Sequence, residues 1–68
     1  MTLSARNHLI GIIDDIQWGD VVVDVTVRVG DHLIESVITR RSAEEMALKK
    51  GDAVTAVVKA TEVMLAKG

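Results

Sequence analysis

The chain has 68 residues, 49% of them hydrophobic, with one Trp, no Phe, Tyr, Pro or Cys, and a net charge of −2. That length allows one domain with a marginal core, burying about 60% of its unfolded surface, and without Cys neither disulfides nor thiolate metal sites can support it. Nonspecific nucleic-acid binding lacks its basic surface, a membrane span lacks its roughly 18 apolar residues, and residues 1–6 lack the basic-then-apolar design of a signal peptide, so a self-associating cytoplasmic protein is expected.

Turn signals at Gly19-Asp20, Gly30-Asp31 and Gly51-Asp52 divide the chain into short segments. Residues 7–16 suit a strand, and Gly11 inside it predicts a bulge or a strong bend of the kind that closes a barrel. Residues 21–29 form the plainest strand: Val21, Val23, Val25, Val27 and Val29 share one face, with Asp24, Thr26 and Arg28 on the other. Gly30-Asp31 then predicts a tight hairpin turn. The third strand covers residues 32–39, and both of its faces, Leu33/Val37 and Ile34/Ile38, are partly apolar.

Ser42-Ala43-Glu44-Glu45 reads as a capping box, Ser42 capping and Glu45 standing three residues on. A short helix follows to about Lys49, with Met46 and Leu48 on its apolar side and Gly51 as its stop. A fourth strand spans residues 53–60 and a fifth residues 63–66, with Thr61 placed to cap a single turn between them. This order predicts an all-β fold: a five-stranded OB-fold-like barrel with one short helix between strands 3 and 4. Its aliphatic content exceeds what so small a barrel hides, so part of it is expected between subunits.

Enzymatic constellations are absent from the pattern. Asp14 and Asp15 are strand neighbours and point to opposite faces, Glu44 and Glu45 belong to a first helical turn, and His8 and His32 read as surface strand residues. No glycine loop of the phosphate-binding type occurs, so catalysis is not expected. Two stretches differ: Ser4-Ala5-Arg6-Asn7 before the first strand, and Lys59-Ala60-Thr61 at the end of the fourth. Each sets a cation beside hydroxyl or amide donors, and small Ala residues leave backbone N–H groups accessible. A fully deprotonated oxyanion offers only acceptors, so a shell of Arg, Lys, Ser, Thr and backbone N–H suits it, and a carboxylate would repel it. By composition alone, a solvated Arg6 and a strand-end Lys59 are the plainer reading.

A resemblance changes that weighting. Ser4-Ala5-Arg6-Asn7-His8-Leu9-Ile10-Gly11 resembles the SARNxLxG signature of the molbindins, the Mop or molybdenum-pterin-binding family. The stretch from Ala56-Val57-Val58-Lys59 through Ala60-Thr61-Glu62-Val63-Met64-Leu65 is similar to that family's closing pattern. Val37-Ile38-Thr39 and Leu48-Lys49-Lys50-Gly51-Asp52 also fit, so the likeness covers essentially residues 1–68 as one Mop domain. It implies an OB-fold subunit assembled as a homohexamer, a trimer of dimers, that stores molybdate or tungstate in the cytoplasm in pockets between subunits. It further implies Ser4 and Arg6 as ligands from one subunit, with donors from Ala5 and Asn7, and Lys59, Ala60 and Thr61 from the neighbour. Thr39 is a weaker candidate. No organic cofactor is expected, since only Trp18 could stack on a pterin. His8 stands where the family commonly has Gln, Ile10 where a polar residue is usual, and the glycine-rich turn is reduced to Gly30-Asp31. Two other functions compete: a nucleic-acid-binding OB module, which would want aromatic residues on a basic groove, and a purely structural oligomerisation module.

Overall fold

In the computed structural model, which describes residues 4–68, alternating valines dictate the centre of the sheet. Strand β2 (Val22–Val29) turns Val23, Val25 and Val27 inward and is flanked by β1 (Asn7–Trp18) and β3 (His32–Thr39), with β4 (Ala53–Val58) on the far side of β1. The order is β3-β2-β1-β4, antiparallel throughout, so β3 and β4 are its edges. Gly30, at φ 60, makes the expected hairpin turn. The reading of Met1, Thr2 and Leu3 as part of a segment without signal-peptide design lies outside the described residues. No helix among those described is long and apolar enough to cross a membrane.

β1 serves two partners by curling. It pairs with β4 over Asn7 to Ile12 and with β2 over Ile12 to Trp18. At Gly11 a Cβ would stand 2.5 Å from the Arg28 carbonyl oxygen and 2.7 Å from Val27 Cγ1, so the strands can approach this closely only where no side chain intervenes. The bulge itself lies further on: the register with β2 shifts between Ile13 and Asp15, leaving Asp14 as the extra residue. Arg28 holds that residue, its Nη2 donating to Asp14 Oδ1 at 2.8 Å. The core is small. Ile13, Val23, Val25, Val27 and Ala43 are buried, and Ile16, Val29, Ile38, Leu48 and Val54 pack against them. Val21, expected to share the inward face, precedes β2 and is exposed.

The helix begins earlier than Ser42. α1 (Arg40–Glu45) follows β3 without a linker, and Thr39 is its N-cap, accepting from the Ser42 N–H at 3.1 Å. A cap needs an extended residue just before the first helical turn, and Thr39, at the end of a strand, is one. The helix also stops before Lys49. Ala47 takes φ 51, its N–H bonds to the Glu44 carbonyl at 3.0 Å and the Leu48 N–H to the Ala43 carbonyl at 3.2 Å. That is a Schellman closure with Ala where Gly is usual, and it leaves Gly51, at φ 94, to the turn before β4.

The expected fifth strand is not formed within the described chain. After the single turn η1 (Ala60–Glu62), residues 63–68 have no ladder partner, and Met64 and Leu65 are 92% and 95% exposed. A strand exists only where its N–H and C=O groups are paired, and within one chain these residues pair with neither of the free edges, β3 and β4. The sheet is therefore four-stranded, all-β apart from α1 and η1, and open between β3 and β4.

Candidate anion-binding site

The site begins at the last rung of the β1–β4 ladder. Asn7 lies opposite Val58 in an antiparallel pair, so the residues before β1 and those after β4 must leave the sheet side by side. They enclose a cleft of about 170 Å³, lined by Ser4, Ala5 and Arg6 on one arm and by Lys59, Ala60 and Thr61 on the other. Six of the eight residues singled out in the sequence thus meet at one place. The two arms are expected from different copies; the ladder of a single chain also brings them side by side.

The other two residues do different work. Asn7 is half-buried and its Nδ2 donates to the Val58 carbonyl at 3.1 Å, which stitches the bases of the two arms together rather than lining the cleft. Thr39 stands at the far end of β3, its hydroxyl accepting from the Ser42 N–H and bonded to Ser42 Oγ at 2.9 Å. Engaged as a helix cap, this hydroxyl is no part of the cleft within one chain.

The cleft is a donor surface. Arg6 and Lys59 bring two cations and Ser4 and Thr61 two hydroxyls, and no lining residue is a carboxylate. In η1 the Glu62 N–H closes onto the Lys59 carbonyl at 2.9 Å and the Val63 N–H onto that of Ala60 at 3.4 Å. The N–H groups of Ala60 and Thr61 therefore have no partner inside the turn. Ala5 and Ala60 add no bulk. Such a wall can satisfy an acceptor-only anion from several sides and offers nothing to a ligand that must itself donate.

His8 belongs beside this site, although the sequence reads it as an ordinary surface residue. Its Nε2 lies 2.8 Å from the Ala5 carbonyl oxygen, reaching back three residues onto the arm. The signal in the sequence is parity: residues 6 and 8 share one face of an extended chain. The acidic pairs, by contrast, have structural partners. Asp14 takes Arg28, Asp15 accepts from Gln17 Nε2 at 2.8 Å, and Glu44 and Glu45 pair with Arg40 and Arg41 one turn back on α1. Trp18 is covered by the Arg40 guanidinium, 5.8 Å from the ring centroid.

A second, larger hollow of about 480 Å³ lies between the two sheet edges. Ile34 and Ile38 of β3, Val54, Ala56 and Val58 of β4, and Leu48 line it, so it is apolar and unlike the first cleft in kind.

Known proteins share this fold. A family model described as the TOBE domain matches residues 3–65. The chain is 41% identical over 66 residues to molybdenum-pterin-binding protein 2 of Clostridium pasteurianum, an alignment spanning 96% of this chain and 97% of that protein. Its structure is similar to that of a molybdate binding protein from Sporomusa ovata, with a TM-score of 0.94 and 34% identity, covering 98% of this chain and 100% of the other. The cytoplasmic molybdate-binding protein ModG, solved with molybdate bound, matches with a TM-score of 0.83 and 38% identity, over 88% of this chain and 43% of that one.

Proposed function

The chain belongs to the TOBE-domain family, among its molybdenum-pterin-binding (Mop) proteins, and on that premise we propose that it binds molybdate, and tungstate alike, in the cleft between residues 4–6 and residues 59–61. One observation carries the proposal: six residues from the two ends of the sheet meet in a cleft that offers cations, hydroxyls and N–H groups and no carboxylate. Molybdate and tungstate are dianions with four acceptor oxygens and no proton at neutral pH. Phosphate still carries a proton there and would need an acceptor in the wall. The likeness to ModG, whose solved form holds molybdate, supports the same ligand class. Binding without chemical conversion, for storage and homeostasis in the cytoplasm, is the role that follows. The protein is not an enzyme in this reading, since the lining supplies neither a carboxylate nor an imidazole to move a proton.

A complete site needs a second copy. The cleft of one chain is open to water, which screens the charges and competes for every donor. Apposition of another subunit would remove that water, and the protein has surface to spare for it. The edges of β3 and β4 are unpaired over an apolar hollow of about 480 Å³, while residues 63–66 of the same sequence project apolar side chains into solvent. The fifth strand of the barrel is then residues 63–66 of a neighbour, laid between β3 and β4, and the assembly is a homohexamer built as a trimer of dimers. No organic cofactor is required.

Calorimetric titration with molybdate, tungstate, sulfate and phosphate tests the ligand, and native mass spectrometry of the same sample tests the assembly. The expected result is a hexamer that takes molybdate and tungstate at micromolar concentration and phosphate far more weakly. A protein that binds phosphate as well as molybdate, or neither, defeats the ligand assignment, and a monomer at every concentration defeats the assembly.

A further inference from the structure

We propose that His8 is a positioning residue for the anion cleft: its imidazole fixes the Ala5 carbonyl, so that the arm formed by residues 4–6 presents donors to the anion and not that oxygen. The inference rests on the reading of the cleft as an anion site and adds to it a residue outside its lining.

The arm has little else to hold it. The β1–β4 ladder begins with Asn7 opposite Val58, so Ser4, Ala5 and Arg6 lie beyond its last rung. Among the described residues, the contact from His8 Nε2 to the Ala5 oxygen, at 2.8 Å, is the one side-chain hydrogen bond made to this arm. A carbonyl oxygen can only accept, so Nε2 carries the proton and donates. His8 is itself anchored as the second residue of β1, opposite Val57, and its reach of three residues closes a small ring from the rigid strand back onto the arm.

Two consequences follow for an anion. First, a segment held in its bound geometry loses less conformational freedom when the ligand arrives, and affinity rises by the part of the ordering cost already met. Second, a carbonyl with no donor of its own beside an oxyanion sets two negative dipole ends together. Engaged by His8, the Ala5 oxygen is committed elsewhere. His8 touches no anion in this scheme and acts only through Ala5.

The test uses the whole chain with molybdate as probe, in the variants His8→Val and His8→Gln. Valine fills a strand position and has no donor; glutamine keeps an N–H that can reach the same carbonyl. Three quantities are measured: molybdate affinity, the thermal midpoint without anion, and backbone order parameters at Ala5 and Arg6 without anion. His8→Val is expected to weaken molybdate roughly two- to tenfold, the value of one net hydrogen bond, with lower order parameters at Ala5 and Arg6 and an unchanged midpoint. His8→Gln is expected to restore both affinity and order toward the wild type. Wild-type affinity in His8→Val overturns the proposal, as does His8→Gln binding no better than His8→Val, or an affinity loss matched by a lowered midpoint. Wild-type protein that takes up no molybdate would overturn the function and this role with it, and that failure is recognisable before any variant is compared.

Discussion

Replacing Gly11 by Ala adds one methyl group where β1 lies close against β2. The new Cβ would sit 2.5 Å from the Arg28 carbonyl oxygen, 2.7 Å from Val27 Cγ1 and 3.0 Å from Val29 Cγ2. The closest neighbour is backbone in a central strand, and to restore even a 3.0 Å contact it must withdraw by 3.0 − 2.5 = 0.5 Å, which strains the ladder around Ile12 and Arg28. Overpacking of this kind costs about 1–3 kcal/mol, and a rigid backbone neighbour places Gly11 near the upper end. Stiffening of the unfolded chain returns about 0.4–1 kcal/mol, so the net loss is about 2 kcal/mol. Set against the 3–5 kcal/mol or so that a core of this size supplies, the loss is large. At about 4–8 °C per kcal/mol for a domain this small, the thermal midpoint should fall by roughly 8–16 °C. Gly30→Ala is the control. Nothing lies within 4 Å of its added Cβ, and its φ of 60 costs only the left-handed penalty of about 1–2 kcal/mol. Circular-dichroism melts of both variants decide the matter: a Gly11→Ala midpoint at or above that of the wild type would refute the claim that close approach of the strands, rather than backbone freedom, requires glycine here.

Further outcomes follow from the same geometry. Arg6→Ala and Lys59→Ala should each raise the molybdate dissociation constant roughly tenfold or more by removing a charge-assisted contact, and in the double variant the losses should not simply add, since both groups face one ligand; titration of the four proteins checks this. Ala47→Gly relieves a left-handed penalty of about 1–2 kcal/mol at φ 51 and loosens the unfolded chain at a cost of about 0.4–1 kcal/mol, so the thermal midpoint should rise slightly and by less than the penalty alone would give. Thr39→Ala should cost about 1 kcal/mol of stability through the lost cap while leaving molybdate affinity unchanged, so denaturant melts and titration together separate its capping role from a binding one.

What the sequence reveals, and what it hides, divides along local and long-range lines. β2 is legible because the alternation of Val23, Val25 and Val27 with Asp24 and Thr26 has one meaning, a half-buried strand, and Gly30-Asp31 marks the hairpin beside it. The helix start is harder, since Thr39 and Ser42 can both cap; the choice falls to Thr39 because β3 runs straight into α1 and leaves it in the extended conformation a cap needs. The helix end is hidden for a different reason. Ala47 adopts a left-handed conformation that its side chain disfavours, and the burial of Ala43 with Leu48 packed over it holds the closure in place. The bulge at Asp14 leaves no mark of its own, whereas Gly11, which suggests a bulge or a strong bend, stands where β1 passes from β4 to β2 and serves their close packing.

The site shows the same division. Ser4, Arg6, Lys59 and Thr61 are readable as donors from residue type, and Ala5 and Ala60 from their smallness. Their meeting within one chain is not, because it depends on Asn7 pairing with Val58 across 51 residues of sequence. Asn7 itself is a donor by type, yet the ladder turns its amide to the Val58 carbonyl. His8 carries no mark beyond its parity with Arg6, and its contact with Ala5 emerges only when the chain is folded. The expected fifth strand is apolar as predicted and unpaired in a single chain, as a segment that belongs to a neighbour's sheet would be.

Anomalous diffraction at the molybdenum edge, from crystals grown with molybdate, locates the anion itself. A molybdenum peak is expected in every cleft, with oxygens in hydrogen-bond reach of Ser4, Arg6, Lys59 and Thr61 and with no carboxylate in contact. A peak elsewhere with these clefts empty, or an Asp or Glu oxygen against the anion, would contradict the proposed site.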